Sequence, residues 1–151
     1  MNRRDRKGQA VIGLRTLMFL MVLGMPASAA AEQFAGDLDP CPEDNSTRDS
    51  KVGGGEILAT LSNGILIVRG GFAGFSSPAT AAHLNQGLAM GVPGPAIGQI
   101  RVAHAMSGDV SARLKLTGAE ISALKNGALY IQIDSAKAPN GNSWAWLQKA
   151  P

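Results

Sequence analysis

Ile57-Leu58-Ala59-Thr60-Leu61-Ser62-Asn63-Gly64-Ile65-Leu66-Ile67-Val68-Arg69 is the stretch that decides the architecture. Asn63-Gly64 stands between two runs rich in β-forming residues. Both central positions of a two-residue hairpin turn need positive φ, which asparagine and glycine adopt at the least cost. Such a turn sets Leu61 opposite Leu66 and Ala59 opposite Val68. Those four share a face with Ile57, so that face is the expected core. The other face carries Thr60, Ser62 and Arg69 and is wetter.

Further along, the same period of two returns. Val110, Ala112, Leu114 and Leu116 alternate with Ser111, Arg113 and Lys115, the pattern of a half-buried strand. Leu129, Ile131 and Ile133 form one side of another strand, with Tyr130, Gln132 and Asp134 on the other. Thr80–Asn85, Ile97–Val102 and Trp144–Gln148 read as further strands. Gly70, Gly71 and Gly74 suggest a bulge or bend after the hairpin. Residues 76–78, 87–95 and 107–109 read as turns or loops, and Pro139-Asn140-Gly141-Asn142 as the turn before the last strand. One short helix is marked. Thr117 is an N-cap with Glu120 three residues on, Leu116 and Ile121 suit a hydrophobic staple, and Asn126-Gly127 supplies the stop. About seven strands with glycine-rich turns and one helical connection predict an all-β, antiparallel sandwich or barrel.

Before the hairpin the chain changes character. Arg3, Arg4, Arg6, Lys7 and Arg15 precede the apolar run Leu17–Met25, then Pro26 and the small residues 27–31. That order predicts a signal peptide over residues 1–31, cut after Ala29 or Ala31. The apolar run is shorter than the roughly 20 residues of a membrane span, so no anchor is expected after cleavage. The general secretory route fits better than the twin-arginine route hinted at by Arg3-Arg4. The protein is thus expected in the periplasm or the medium. Residues 32–52, with Asp37, Asp39, Glu43, Asp44 and Asp49, read as a flexible acidic linker, and Asn45-Ser46-Thr47 matches a glycosylation acceptor. The β domain is expected over residues 53–151.

The whole chain carries a net charge of +3. Residues 32–151 hold nine basic and ten acidic residues, a net of −1. No basic stripe with interleaved aromatics remains, which argues against nucleic acid. These 120 residues suit one core. Cys41 is the only cysteine, so no disulfide framework holds the fold. It reads either as a thiol that pairs with another molecule or as an incidental thiol in a flexible leader.

Candidate chemistry is sparse. His83, His104 and Asp134, with Asn85 two residues from His83, are the weak candidates for a metal site, which normally needs three or four ligands. No serine lies in a Gly-x-Ser-x-Gly elbow, no carboxylate pair stands out, and no phosphate loop is present. The expectation is therefore no enzyme and no cofactor. Trp144 and Trp146 share one face of the last strand and read either as a platform for a sugar or peptide, or as packing.

The segment Gly70-Gly71-Phe72-Ala73-Gly74-Phe75-Ser76-Ser77-Pro78-Ala79-Thr80-Ala81-Ala82-His83-Leu84 resembles the CHRD (chordin) domain, which reads "sGL-ssPataAHIH". Gly94-Pro95, residues 116–133 and Pro139-Asn140-Gly141 are similar to its "G-nGP", "Lt…L-nGklYvNvHT" and "P-GEIRGQL" segments. The likeness spans roughly residues 53–148. Departures fall on the polar signature: Asn85 and Asp134 stand where the family has histidines, Ser135 for threonine, and Asn142, Trp144 and Trp146 for Glu, Arg and Gln. The resemblance implies an immunoglobulin-like β-barrel in an exported protein. The expected role is a non-enzymatic binding or structural module contacting an extracytoplasmic protein or glycan through Trp144, Trp146, His83 and Asn85. The alternative is a metal-binding or redox-active protein using His83, His104 and Asp134.

Overall fold

The turn at Asn63-Gly64 forms as expected: φ is 50° at Asn63 and 75° at Gly64, and Leu61 pairs with Leu66 and Ala59 with Val68. The structure is a computed structural model that describes residues 30–42 and 48–151. Its strands are β1 (Glu32–Asp37), β2 (Asp39–Pro40), β3 (Gly54–Ser62), β4 (Ile65–Ala73), β5 (Ala79–Gln86), β6 (Ala96–Val102), β7 (Gly108–Lys115), β8 (Leu129–Ser135), β9 (Ala138–Trp146) and β10 (Gln148–Lys149). Helix α1 (Gly118–Lys125) joins β7 to β8. The strands pair antiparallel in the order β10-β1-β3-β4-β7-β6-β5-β8-β9-β2 and curl into a half-barrel. The chain is all-β with one short helix, as its patterning requires. Residues 1–29 of the signal peptide expected over 1–31, and the acceptor at Asn45, lie outside the described residues.

Period-two burial fills the interior. Ile57, Leu66, Val68, Leu84, Leu129, Ile131 and Ile133 are fully enclosed, and Ala59, Leu61, Val110 and Leu116 join the same cluster. Ala112 and Leu114 pack against it half-buried. The helix is held by its capping box. The Thr117 backbone N–H donates to Glu120 Oε2 at 2.7 Å, and the Glu120 N–H donates to Thr117 Oγ1 at 3.2 Å. Gly127, at φ 71°, ends it, and Leu124 drops into the core.

Four local expectations need correction. Residues 32–52 are not a flexible linker throughout, because β1 pairs with β3 over six residues and buries Phe34. Its acidic residues hide that strand from a composition-based reading, since only Phe34 and Leu38 point inward. Gly70 and Gly71 do not interrupt β4, which stays in register with β3 to Ala73. They serve close approach instead: a Cβ on Gly70 would meet the Glu56 carbonyl oxygen, and one on Gly55 the Gly71 carbonyl oxygen. Pro139-Asn140-Gly141 lies inside β9, and the turn from β8 falls at Ala136-Lys137. Proline fits there because, second in the strand and next to the turn, it falls where the register with β8 shifts and has no partner on that strand. The bend before β7 covers residues 104–107, with Gly108 and Asp109 already paired.

If β1 is structural, truncating its anchor costs core burial. Phe34→Ala should lower the unfolding free energy by about 3 kcal/mol in urea denaturation. A loss below about 0.5 kcal/mol, the surface-substitution range, would show that β1 is dispensable.

Candidate functional site

The outer face of β5, β8 and β9 gathers the polar and aromatic residues singled out in the sequence. Register builds it in rows. His83, Gln132 and Trp144 form one row, Asn85, Tyr130 and Trp146 the next, and Ala81 stands opposite Asp134 in a third. Side chains alternate faces along a strand, so every one of these points away from the core.

The first cluster centres on Asp134. Its Oδ1 accepts from Gln132 Nε2 at 2.8 Å, and its Oδ2 lies 3.6 Å from His83 Nδ1. Burial raises the Asp134 carboxyl above the usual carboxylate range; the Gln132 hydrogen bond and the His83 charge oppose that rise. Cys41 adjoins this cluster. Its Sγ would lie 2.9 Å from a Cβ on Gly141, and the same Cβ would lie 3.1 Å from Gln132 Cδ. Gly141 adopts φ 123°, so only glycine leaves room for the thiol there. Burial pushes the Cys41 thiol up to about 12, aided by Asp134 and opposed by Lys51. Neither sequence reading of Cys41 fits this place: it is a protonated, enclosed side chain.

The second cluster is aromatic. The Tyr130 ring lies 4.3 Å from Trp146 and 5.6 Å from Trp144, and the two indoles meet edge to face at 5.4 Å. The Tyr130 hydroxyl donates to the Gly94 carbonyl at 3.1 Å and accepts from the Gly94 N–H at 3.0 Å and from Asn85 Nδ2 at 3.1 Å. It thereby pins the loop of residues 87–95 over the aromatic row. A Cβ on Gly87 would touch Trp146 Cη2 at 2.9 Å, which shows how closely the loop covers the indole. Asn85 Oδ1 and Trp146 Nε1 are buried without a hydrogen-bond partner.

Trp146 also borders a groove of about 530 Å³, lined by Asp37, Asp39, Glu56, Met90 and Gln148. Three carboxylates thus face an indole and a thioether. The sequence reading missed this wall because Asp37 and Asp39 sit in the stretch taken for a linker. An alternating Phe34-Gly36-Leu38 pattern was the available signal.

His83 and Asp134 come together; His104 does not complete them. It lies in the bend after β6 and lines a separate depression of about 280 Å³ with His83, Gln99 and Arg101. Among the described residues no group of three or more His, Cys, Asp or Glu could hold a metal ion. Asn85 turns its amide toward Tyr130 and Gly94, away from the ligand role considered for it. Family positions converge here all the same. Asn142, Ser135 and Ser143 form a buried network beneath the face, with Ser135 Oγ donating to Asn142 Oδ1 at 3.1 Å and Asn142 Nδ2 donating to the Val52 carbonyl at 3.1 Å.

The sequence model of the CHRD domain matches residues 34–142, well over half of the chain. The chain belongs to the CHRD domain family. The match begins in β1, nineteen residues before the expected start at residue 53, and so treats the first strand as part of the CHRD domain. No curated protein and no solved structure matches the chain.

Two outcomes follow from the Asp134 cluster. Because burial raises this carboxyl, the folded state holds the proton to higher pH than the unfolded chain. Stability contributed by Asp134 should therefore fall as pH rises from its ordinary value of 3.8 through its raised folded value. Asp134→Asn keeps an acceptor for Gln132 and should remove that slope in pH-dependent melting; an unchanged slope would exclude Asp134 as its source. For Cys41, a thiol reagent at pH 8 should leave native protein unmodified and label it fully in denaturant. Rapid native labelling would contradict the enclosed site.

Proposed function

We propose that this CHRD domain-containing protein is exported and works as a non-enzymatic binding module, with its contact region at the Trp146 groove and the neighbouring Trp144 and His83. The groove carries the reading. Carboxylates beside an aromatic wall suit a glycan: hydroxyls donate to Asp37, Asp39 and Glu56, while the C–H face of a sugar ring lies on the indole. Export is supported by the basic–apolar–small order of residues 1–31. A cut after Ala31 spares the whole of β1, whose first residue, Glu32, is held by Lys125 at 2.6 Å and Lys149 at 3.5 Å.

Two measurements test this. The full-length chain expressed in its source cells should be recovered outside the cytoplasm with its N-terminus at Ala30 or Glu32, read by mass spectrometry; an uncut cytoplasmic chain would refute export. Titration with soluble cello-, chito- and xylo-oligosaccharides should shift the tryptophan emission saturably with one of them. Asp39→Asn should weaken that binding about tenfold through a lost charge-assisted hydrogen bond. Flat titrations with all three would refute the glycan reading.

A further inference from the structure

Beyond β6 from the His83 row, the outer face of β4, β7 and β6 carries three arginines that no part of the CHRD reading uses. Arg69 and Arg101 both stand opposite Ser111, one from each neighbouring strand. Adjacent strands lie about 4.8 Å apart, so the two arginines flank the serine in a row about 10 Å wide. Arg113 follows two residues along β7 on the same face. Together with Gln99 these side chains line an open depression of about 550 Å³.

All three arginines are exposed, and none makes a hydrogen bond or ion pair with another side chain among the described residues. The carboxylates nearest in register, Glu56 and Asp109, both stand opposite Gly71, one row away, and pair with none of them. Like charges on neighbouring strands repel, and among the described residues no carboxylate forms an ion pair with these arginines. The concentration is notable because residues 32–151 carry a net charge of −1. Guanidinium forks match the geometry of tetrahedral and planar oxyanions, with several N–H donors each. The Ser111 hydroxyl adds a donor at the centre.

An apolar strip adjoins the cluster. A second depression of about 360 Å³, lined by Leu58, Thr60, Ile67 and Arg69, shares Ile67 and Arg69 with the first. Leu58 is 52% exposed there, on the outer face of the very hairpin that buries its neighbours. We propose that Arg69, Arg101, Arg113 and Ser111 form an oxyanion site for a phosphate or sulfate monoester, whose organic part rests on Leu58 and Ile67.

The test uses the purified protein, with phenyl phosphate and inorganic phosphate as probes, followed by amide chemical shifts. Phenyl phosphate should bind saturably, shift the amides of Ser111 and its neighbours on β4 and β6, and weaken with added salt. Each of Arg69→Gln, Arg101→Gln and Arg113→Gln should weaken it about tenfold, whereas Lys149→Gln, a distant exposed cation, should leave it unchanged. Leu58→Ser should reduce phenyl phosphate to the affinity of inorganic phosphate. Absence of saturable binding, or an equal loss in Lys149→Gln, would overturn the site. Inorganic phosphate binding the parent protein as tightly as phenyl phosphate would overturn the apolar half.

Discussion

The barrel depends on two buried crossings, at Leu38 and Leu147. Strand β1 lies on β3, and past Leu38 the chain moves to the other edge and pairs with β9 as β2. Strand β9 lies on β8, and past Leu147 it moves to pair with β1 as β10. Both crossing residues are enclosed. The Leu38 N–H donates to the Gly55 carbonyl at 2.8 Å, and that of Leu147 to the Leu129 carbonyl at 3.0 Å. Reciprocal swaps of this kind leave only two-residue strands at the sheet edges, which limits the backbone groups available for unwanted pairing. They also require backbones to touch: a Cβ on Gly36 would lie 2.6 Å from the Trp146 carbonyl oxygen. The seam so formed is where the carboxylates of β1 and β2 meet the indole of β9.

Covering the outer face of β5, β8 and β9 has an energetic consequence. Asp134, Asn85 and Asn142 are buried although they stand on the outer face, away from the apolar core. Buried polar groups stay favourable only when hydrogen-bonded, and most here are. Tyr130 meets the rule fully through Gly94 and Asn85. The face of β4, β7 and β6 is uncovered and wet, so its arginines keep their charges at little cost. One curled sheet thus presents a roofed aromatic and acidic side and an open basic side, and the two differ in which loop happens to lie across them.

The histidine signature shows how far family likeness carries. Residues 83, 85, 134, 144 and 146 do share one face, as the family's motif spacing implies. With Asn, Asp and two Trp at four of those positions, the face is held by an aromatic stack and one carboxylate–imidazole contact. His104, which the sequence grouped with His83 and Asp134, lies in the bend after β6, where strand alternation imposes no facing.

What the sequence determined by itself was local. Asn63-Gly64 set the hairpin and its register, because only residues tolerant of positive φ fit that turn. Alternation at residues 110–116 and 129–133 set which face was dry, and Thr117 with Glu120 set the helix start. The tertiary structure alone decided three other matters. It made an acidic stretch into β1, because pairing with β3 satisfied its backbone and two inward apolar residues sufficed to dock it. It enclosed Cys41 and Asp134 by laying residues 39–42 and Gly141 against them. And it brought Arg69 together with Arg101 and Arg113, since the pairing of β4 with β7 far along the chain follows from sheet order, which no local pattern encodes.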